Sequence, residues 1–147
     1  MIDENYHTTI IADATPQSVF ESINEVTQWW TENLEGCSKN VGDEFTVRFA
    51  DLHMTTQKLT EVIPGKKVVW LVMDSNLSFI NKRDEWTNTQ VVFDIAEKDG
   101  KTEVSFTHIG LVPQTECYTS CVKGWDYYIK ESLFKLLTEG KGTPALS

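Results

Sequence analysis

Few residues in this 147-residue sequence combine a chemically able side chain with a suggestive position. His108 closes a stretch in which Val104 and Phe106 share its face. An imidazole there, with an ordinary pKa near neutrality, could serve as acid, base or hydrogen-bond partner of a ligand. The plainer alternative is a structural histidine bonded to a backbone carbonyl, and a catalytic role needs a partner within hydrogen-bond reach. Cys117 and Cys121 are four apart and share one helix face. They make at most half a metal site, because no second pair of ligands has zinc spacing. Cys37 stands alone, and His7 and His53 lie in other contexts. No metal and no cofactor are expected. Three cysteines without a framework spacing read as reduced thiols, so no disulfide is expected between the helical pair. Asp84 and Glu85 adjoin Trp86. Paired carboxylates do acid–base work when burial raises one pKa, but in so polar a loop these two are expected to be solvated. Trp29 and Trp30 could stack a flat ligand or lid the core. The sequence has no glycine-rich phosphate loop, serine nucleophile elbow or HExxH.

The elements that must position these groups are organised around the C-terminal segment. Tyr118, Val122, Trp125, Ile129, Leu133 and Leu136 fall on one stripe at roughly 100° per residue, which predicts a helix from Thr115 to about Thr138. Pro113 precedes it, and Gly140 with Pro144 ends it. Upstream, Tyr6 to Ala12 reads as a strand, and Thr15-Pro16 starts a helix with Val19, Phe20, Ile23 and Val26 on its apolar face. Thr27 restarts a short turn carrying the tryptophan pair, and Glu32 to Gly42 reads as loop. From Asp43 the period becomes two, with Phe45, Val47 and Phe49 on one face. Met54 to Ile63, Lys67 to Met73, Gln90 to Ala96 and Thr102 to Ile109 are further strands. Asp74 to Asn88 reads as a polar loop that carries Leu77, Phe79, Ile80 and Trp86. Consecutive strands joined by short turns make an antiparallel sheet, and helices at the two ends pack on one face. The expected class is α+β, a single domain over 1–147.

Composition narrows the partners. The formal net charge of −9 lacks the basic footprint that nucleic acid or an anionic membrane requires. No apolar run approaches a membrane span, and the opening MIDENYHTTI has no basic region followed by an apolar one, so cytoplasmic residence is expected.

Three stretches together resemble one family: IPGKKVVW at Ile63 to Trp70, THIGL at Thr107 to Leu111, and GWDYYIKESLFKLLTEGKGTP near the end. With the strand order, they are similar to the SRPBCC or START-like superfamily, and within it to the branch of the activator of heat-shock protein 90 ATPase. The resemblance implies a helix-grip fold. A curved antiparallel sheet of six or seven strands would wrap the long C-terminal helix, with two short helices after the first strand and an apolar cavity between. It implies a domain that binds a small apolar molecule, with Val47, Trp70, Phe93, Phe106, His108, Tyr118 and Trp125 as expected lining. His108 and Tyr118 would supply the polar contacts. The alternatives it implies are a polyketide cyclase or dehydratase using the same pocket, with His108 or Tyr118 as proton donor, and a co-chaperone that acts through its surface. The chain is too short to hold the separate N-terminal domain of the eukaryotic activator, which weighs against that last role.

Two positions on the long helix carry further expectations. Gly124 sits in the helix interior, where glycine costs about 1 kcal/mol relative to alanine. A close approach of backbone or a large side chain is expected there, so that Gly124→Leu overpacks. Tyr127 and Phe134 lie nearly opposite the Trp125 stripe and are expected to form an exposed patch suited to a homodimer or partner contact.

Overall fold

A seven-stranded antiparallel sheet runs in the order β1-β7-β6-β5-β4-β3-β2. Its strands are β1 (Tyr6–Ala12), β2 (Leu34–Gly36), β3 (Glu44–Phe49), β4 (His53–Ile63), β5 (Lys67–Leu77), β6 (Gln90–Lys98) and β7 (Lys101–Ile109). The structure, a computed structural model, describes residues 4–146. The first three residues of the MIDENYHTTI stretch, and Ser147, lie outside the described residues.

Helix α1 (Pro16–Asn24) follows β1. Its start is set by Thr15, whose hydroxyl accepts the Ser18 N–H at 3.1 Å, with proline at the first helical position. Its buried residues include Val19, Phe20 and Ile23. A short 3₁₀ turn at Val26–Gln28 leads into the tryptophan pair. The sheet is curved, and β4 supplies two register shifts toward that curvature, at Thr56/Gln57 and Leu59/Glu61. Its concave face is apolar along alternate positions. Phe45 and Val47, Val68, Trp70 and Val72, Val91 and Phe93, and Val104 and Phe106 are all buried there.

The C-terminal helix lies on that face in three continuous pieces, α2 (Tyr118–Trp125), a π-helical segment (Asp126–Leu133) and α3 (Phe134–Glu139). Trp125, Ile129 and Leu133 of the expected stripe are buried. Gly140 closes the helix in the left-handed conformation that glycine adopts without steric cost. Among the described residues, no helix is long and apolar enough to cross a membrane.

Three boundaries differ from the sequence reading by three residues or more. Leu34–Gly36 pairs with β3 although it was expected to be loop, because three residues are too few to display a period. β5 runs on to Leu77, taking Asp74–Leu77 from the expected loop, since Met54, Thr55 and Thr56 of β4 offer paired backbone there. The helix begins at Tyr118 rather than Thr115. The Thr115 hydroxyl instead accepts the Val112 N–H at 3.0 Å in a tight turn.

Candidate functional site

An apolar recess opens at one end of the helix, where the loop after β5 meets α2. Its volume is about 150 Å³. Five places in the chain build it. Trp30 comes from just after the 3₁₀ turn, Phe49 and His53 from the β3–β4 hairpin, and Phe79 and Trp86 from the loop after β5. Ser120, Cys121, Gly124 and Trp125 come from α2, and Tyr128 from the π-helical segment.

Trp125 is its floor. Trp30 stacks on it with ring centroids 5.0 Å apart, and Trp86 stacks on it at 5.7 Å. Trp30 is held in place by the chain end. The Ala145 N–H donates to the Trp30 carbonyl at 2.9 Å, and the Ser132 hydroxyl donates to the Trp29 carbonyl at 2.6 Å. Trp29 itself is fully buried, and its indole N–H donates to the Ile23 carbonyl at 3.1 Å, so of the pair only Trp30 reaches the recess.

Trp86 is positioned by a reciprocal clamp. The Glu85 carboxylate accepts the backbone N–H groups of Glu116 and Cys117 at 2.6 and 2.9 Å. The Glu116 carboxylate in turn accepts those of Asn81 and Lys82 at 2.8 and 3.0 Å. These two donors, Asn81 first, hold the Glu116 pKa below the ordinary carboxylate value. Glu85, expected to be solvated, is thus half of the device that ties the loop to the helix start.

His108 is locked. An indole N–H can only donate, so the 3.0 Å bond from Trp125 Nε1 makes His108 Nδ1 an acceptor and puts the ring proton on Nε2. Nε2 then donates to Thr89 Oγ1 at 2.9 Å, and that hydroxyl donates to the Trp86 carbonyl at 2.6 Å. Burial, with a smaller contribution from nearby His53, lowers the His108 pKa to about 3. A neutral imidazole with both nitrogens engaged is a positioning residue for Trp125 and the Trp86 loop. It has no valence left to move a proton.

His53 is the histidine at the recess. Its Nε2 lies 3.0 Å from Thr55 Oγ1, and its ring meets Trp86 edge to face with centroids 4.8 Å apart. Its ring is half-buried, and desolvation there lowers its pKa. Among the described residues, Asn24 Oδ1, Gln57 Oε1 and Trp86 Nε1 are buried side-chain polar atoms without a hydrogen-bond partner, and Trp86 lines the recess.

Of the residues expected to line a cavity, Trp125 lines this one. Val47, Trp70, Phe93, Phe106 and His108 are buried deeper under the helix, outside its lining. There the aromatic rings fill the space by packing on one another, with Trp70–Phe93 centroids at 5.0 Å and Phe93–Phe106 at 5.1 Å. Tyr118 is half-buried against the core and also lies outside the lining. His53, Trp86 and Phe79 escaped the sequence reading because one sits at a strand edge and two in a polar loop. The usable signal was the run His53, Thr55, Gln57, Leu59, which keeps one face of β4.

Two expectations are corrected. Cys117 and Cys121 are joined as a disulfide, with Cα atoms 5.7 Å apart. The expectation of free thiols rested on compartment, whereas one turn at the helix start brings the two sulfurs together. Gly124 has no close neighbour: a Cβ built there meets nothing within 4 Å. It lies instead on the edge of the recess. Among the described residues, no group of three His, Cys, Asp or Glu side chains could hold a metal ion.

A family model described as activator of Hsp90 ATPase homolog 1-like protein matches residues 13–138. The chain belongs to this AHSA1 family. Its fold is accordingly that of the SRPBCC superfamily, as the sequence resemblance implied. The solution structure of the Aha1 dimer from Colwellia psychrerythraea is 26% identical and superposes with a TM-score of 0.77, covering 97% of this chain and 100% of that one. SSP2350 from Staphylococcus saprophyticus is 16% identical with a TM-score of 0.72, covering 97% and 98%. DynU16, a protein in the dynemicin biosynthetic locus, is 16% identical with a TM-score of 0.68, covering 96% of this chain and 49% of that one. The last two share the fold alone. No curated protein matches the sequence.

Proposed function

We propose that this AHSA1-family chain binds a small apolar molecule in the recess between α2 and the loop after β5. The observation that carries the reading is Gly124. A glycine in a helix interior forfeits about 1 kcal/mol against alanine, and here nothing packs against its missing side chain. What the glycine provides is an open edge on an aromatic-lined recess. Apolar concavities with a few polar groups are the usual form of ligand sites. The locked state of His108 weighs against its use as a proton donor, and so favours binding over turnover.

Wild type and Gly124→Leu should be titrated with a neutral apolar fluorophore while tryptophan emission is followed. Saturable binding by the wild type and its loss in the variant are expected. Equal binding by both would refute the site.

A second reading concerns self-association. Tyr127 is 45% and Phe134 37% exposed on the outer side of the C-terminal helix, and the 26%-identical Colwellia protein is described as a dimer. We infer a homodimer in which these two rings take part. Sedimentation of the wild type as a monomer at high micromolar concentration would contradict it, and Tyr127→Lys with Phe134→Glu should convert a dimer to monomer.

A further inference from the structure

We propose that Cys117 and Cys121 form a reversible thiol–disulfide exchange site, at which a small thiol reaches Cys121 through the recess. The site needs the recess to admit a molecule and does not need it to retain one, so it stands apart from the ligand reading.

The disulfide is poorly explained as a staple. Its two residues are four apart, and the Cys121 N–H already donates to the Cys117 carbonyl at 2.8 Å, closing the same turn. A crosslink constrains the unfolded chain least when the loop it closes is short. Disulfide frameworks belong to small domains that cannot build a sufficient core, whereas this chain buries Trp29, Trp70, Trp125, Phe45, Phe93 and Phe106 almost completely. A bond that neither closes a long loop nor stands in for a core leaves its chemistry as the feature to explain.

The two cysteines differ in access. Cys121 lines the recess, beside Ser120, Gly124 and Trp125. Cys117 is 2% exposed and lies outside that lining, and its backbone N–H is held by the Glu85 carboxylate at 2.9 Å. Exchange proceeds by attack of a thiolate on one sulfur of a disulfide, and access helps decide which.

Here the thiolate of a small dithiol attacks Cys121 Sγ. A bond forms between them, the Cys121–Cys117 bond breaks, and its electron pair leaves on Cys117 Sγ, which takes a proton from water. The second thiol of the reagent gives its proton to water and attacks its partner sulfur in the mixed disulfide. Cys121 leaves as a thiolate and is protonated in turn. The dithiol departs oxidised, as a cyclic disulfide, and two electrons have passed to the protein. The reverse sequence restores the starting state. Once the bond is broken, two thiol sulfurs need more room than the bond left between them. Cys117 is enclosed and tied through its backbone, so Cys121 is the side chain that turns, and the space beside it is the recess. The reduced protein thus presents a nucleophilic thiol among aromatic rings.

The test uses a Cys37→Ser background, because Cys37 is an exposed free thiol. The folded protein is treated with dithiothreitol, then with the oxidised form of that reagent. Intact mass after iodoacetamide counts the free thiols, and circular dichroism follows the fold. Two thiols should appear and disappear reversibly with the fold retained. A disulfide that resists reduction until urea is added, or whose reduction unfolds the protein, is a structural staple and overturns the proposal. In the same background, Cys117→Ala and Cys121→Ala each leave one thiol to react with 2,2′-dithiodipyridine. Cys121 should react more than about tenfold faster than Cys117, since reactivity follows access. Adding Gly124→Leu should slow the Cys121 reaction, because the leucine side chain enters the recess. Cys117 reacting as fast as Cys121, or a Cys121 rate indifferent to Gly124→Leu, would overturn the recess as the route of entry.

Discussion

Replacing Gly124 should leave the protein as stable as before or more so. The residue lies inside α2, where alanine exceeds glycine by about 1 kcal/mol in helix propensity. A Cβ built at Gly124 meets no heavy atom within 4 Å outside its own helix turn and chain neighbours, so no steric term opposes that gain. In a domain of about this size, 1 kcal/mol corresponds to roughly 2–4 °C in melting temperature. Gly124→Ala should therefore raise the midpoint by up to that amount, and urea unfolding should show it as a higher midpoint at unchanged slope. Leucine has nearly the helix propensity of alanine. Gly124→Leu should also be neutral or stabilising, because its side chain enters open space beside Phe79 and Tyr128. Overpacking would instead cost about 1–3 kcal/mol. A loss above about 1 kcal/mol in the alanine variant, with a well-folded product, would show that something does press on this position. The account of the glycine as an edge kept open would then be wrong.

His108→Leu should destabilise by about 1–3 kcal/mol by stranding the Trp125 indole N–H, measured by urea unfolding; a neutral result would mean that the bond is not formed. Acid should weaken the fold early. His108 has a folded pKa lowered to about 3 from an ordinary 6.5, so between those limits the unfolded chain binds a proton that the native one refuses. Stability is then full above pH 6.5 and falls as pH drops toward 3, at up to about 1.4 kcal/mol per pH unit for that proton. A urea midpoint unchanged from pH 7.5 to 5 would contradict the burial of the neutral His108 ring. Iodoacetamide applied to the native, unreduced protein should label Cys37, which is exposed, and spare Cys117 and Cys121 until a thiol reductant is added. Labelling of all three without reductant, read by intact mass, would exclude the disulfide.

Much of the scaffold was legible because burial imposes a period. Val104, Phe106 and His108 alternate with Glu103, Ser105 and Thr107, and Trp125, Ile129 and Leu133 repeat at helical spacing. Each set fixes a face without knowledge of its partner. The recess was not legible for the same reason: it is no face of any element. It forms at a seam, where Phe79 and Trp86 fold back onto α2 through the paired Glu85 and Glu116 carboxylates, across 31 to 35 residues of sequence. Periodicity placed Trp70, Phe93 and Phe106 inward, but could not tell whether inward rings enclose space or fill it. Here they fill it. Gly124 was visibly anomalous, yet an interior glycine marks either crowding or an opening, and only the surrounding atoms distinguish the two.

The most direct measurement is a crystal structure of the protein soaked with bromobenzene, read by the anomalous signal of bromine. The account predicts one strong peak in the space bounded by Trp30, Phe49, Tyr128 and Gly124, and no peak there in Gly124→Leu. A peak elsewhere in the protein, or none in that space at a saturating concentration, would contradict the claim that this recess is the ligand site.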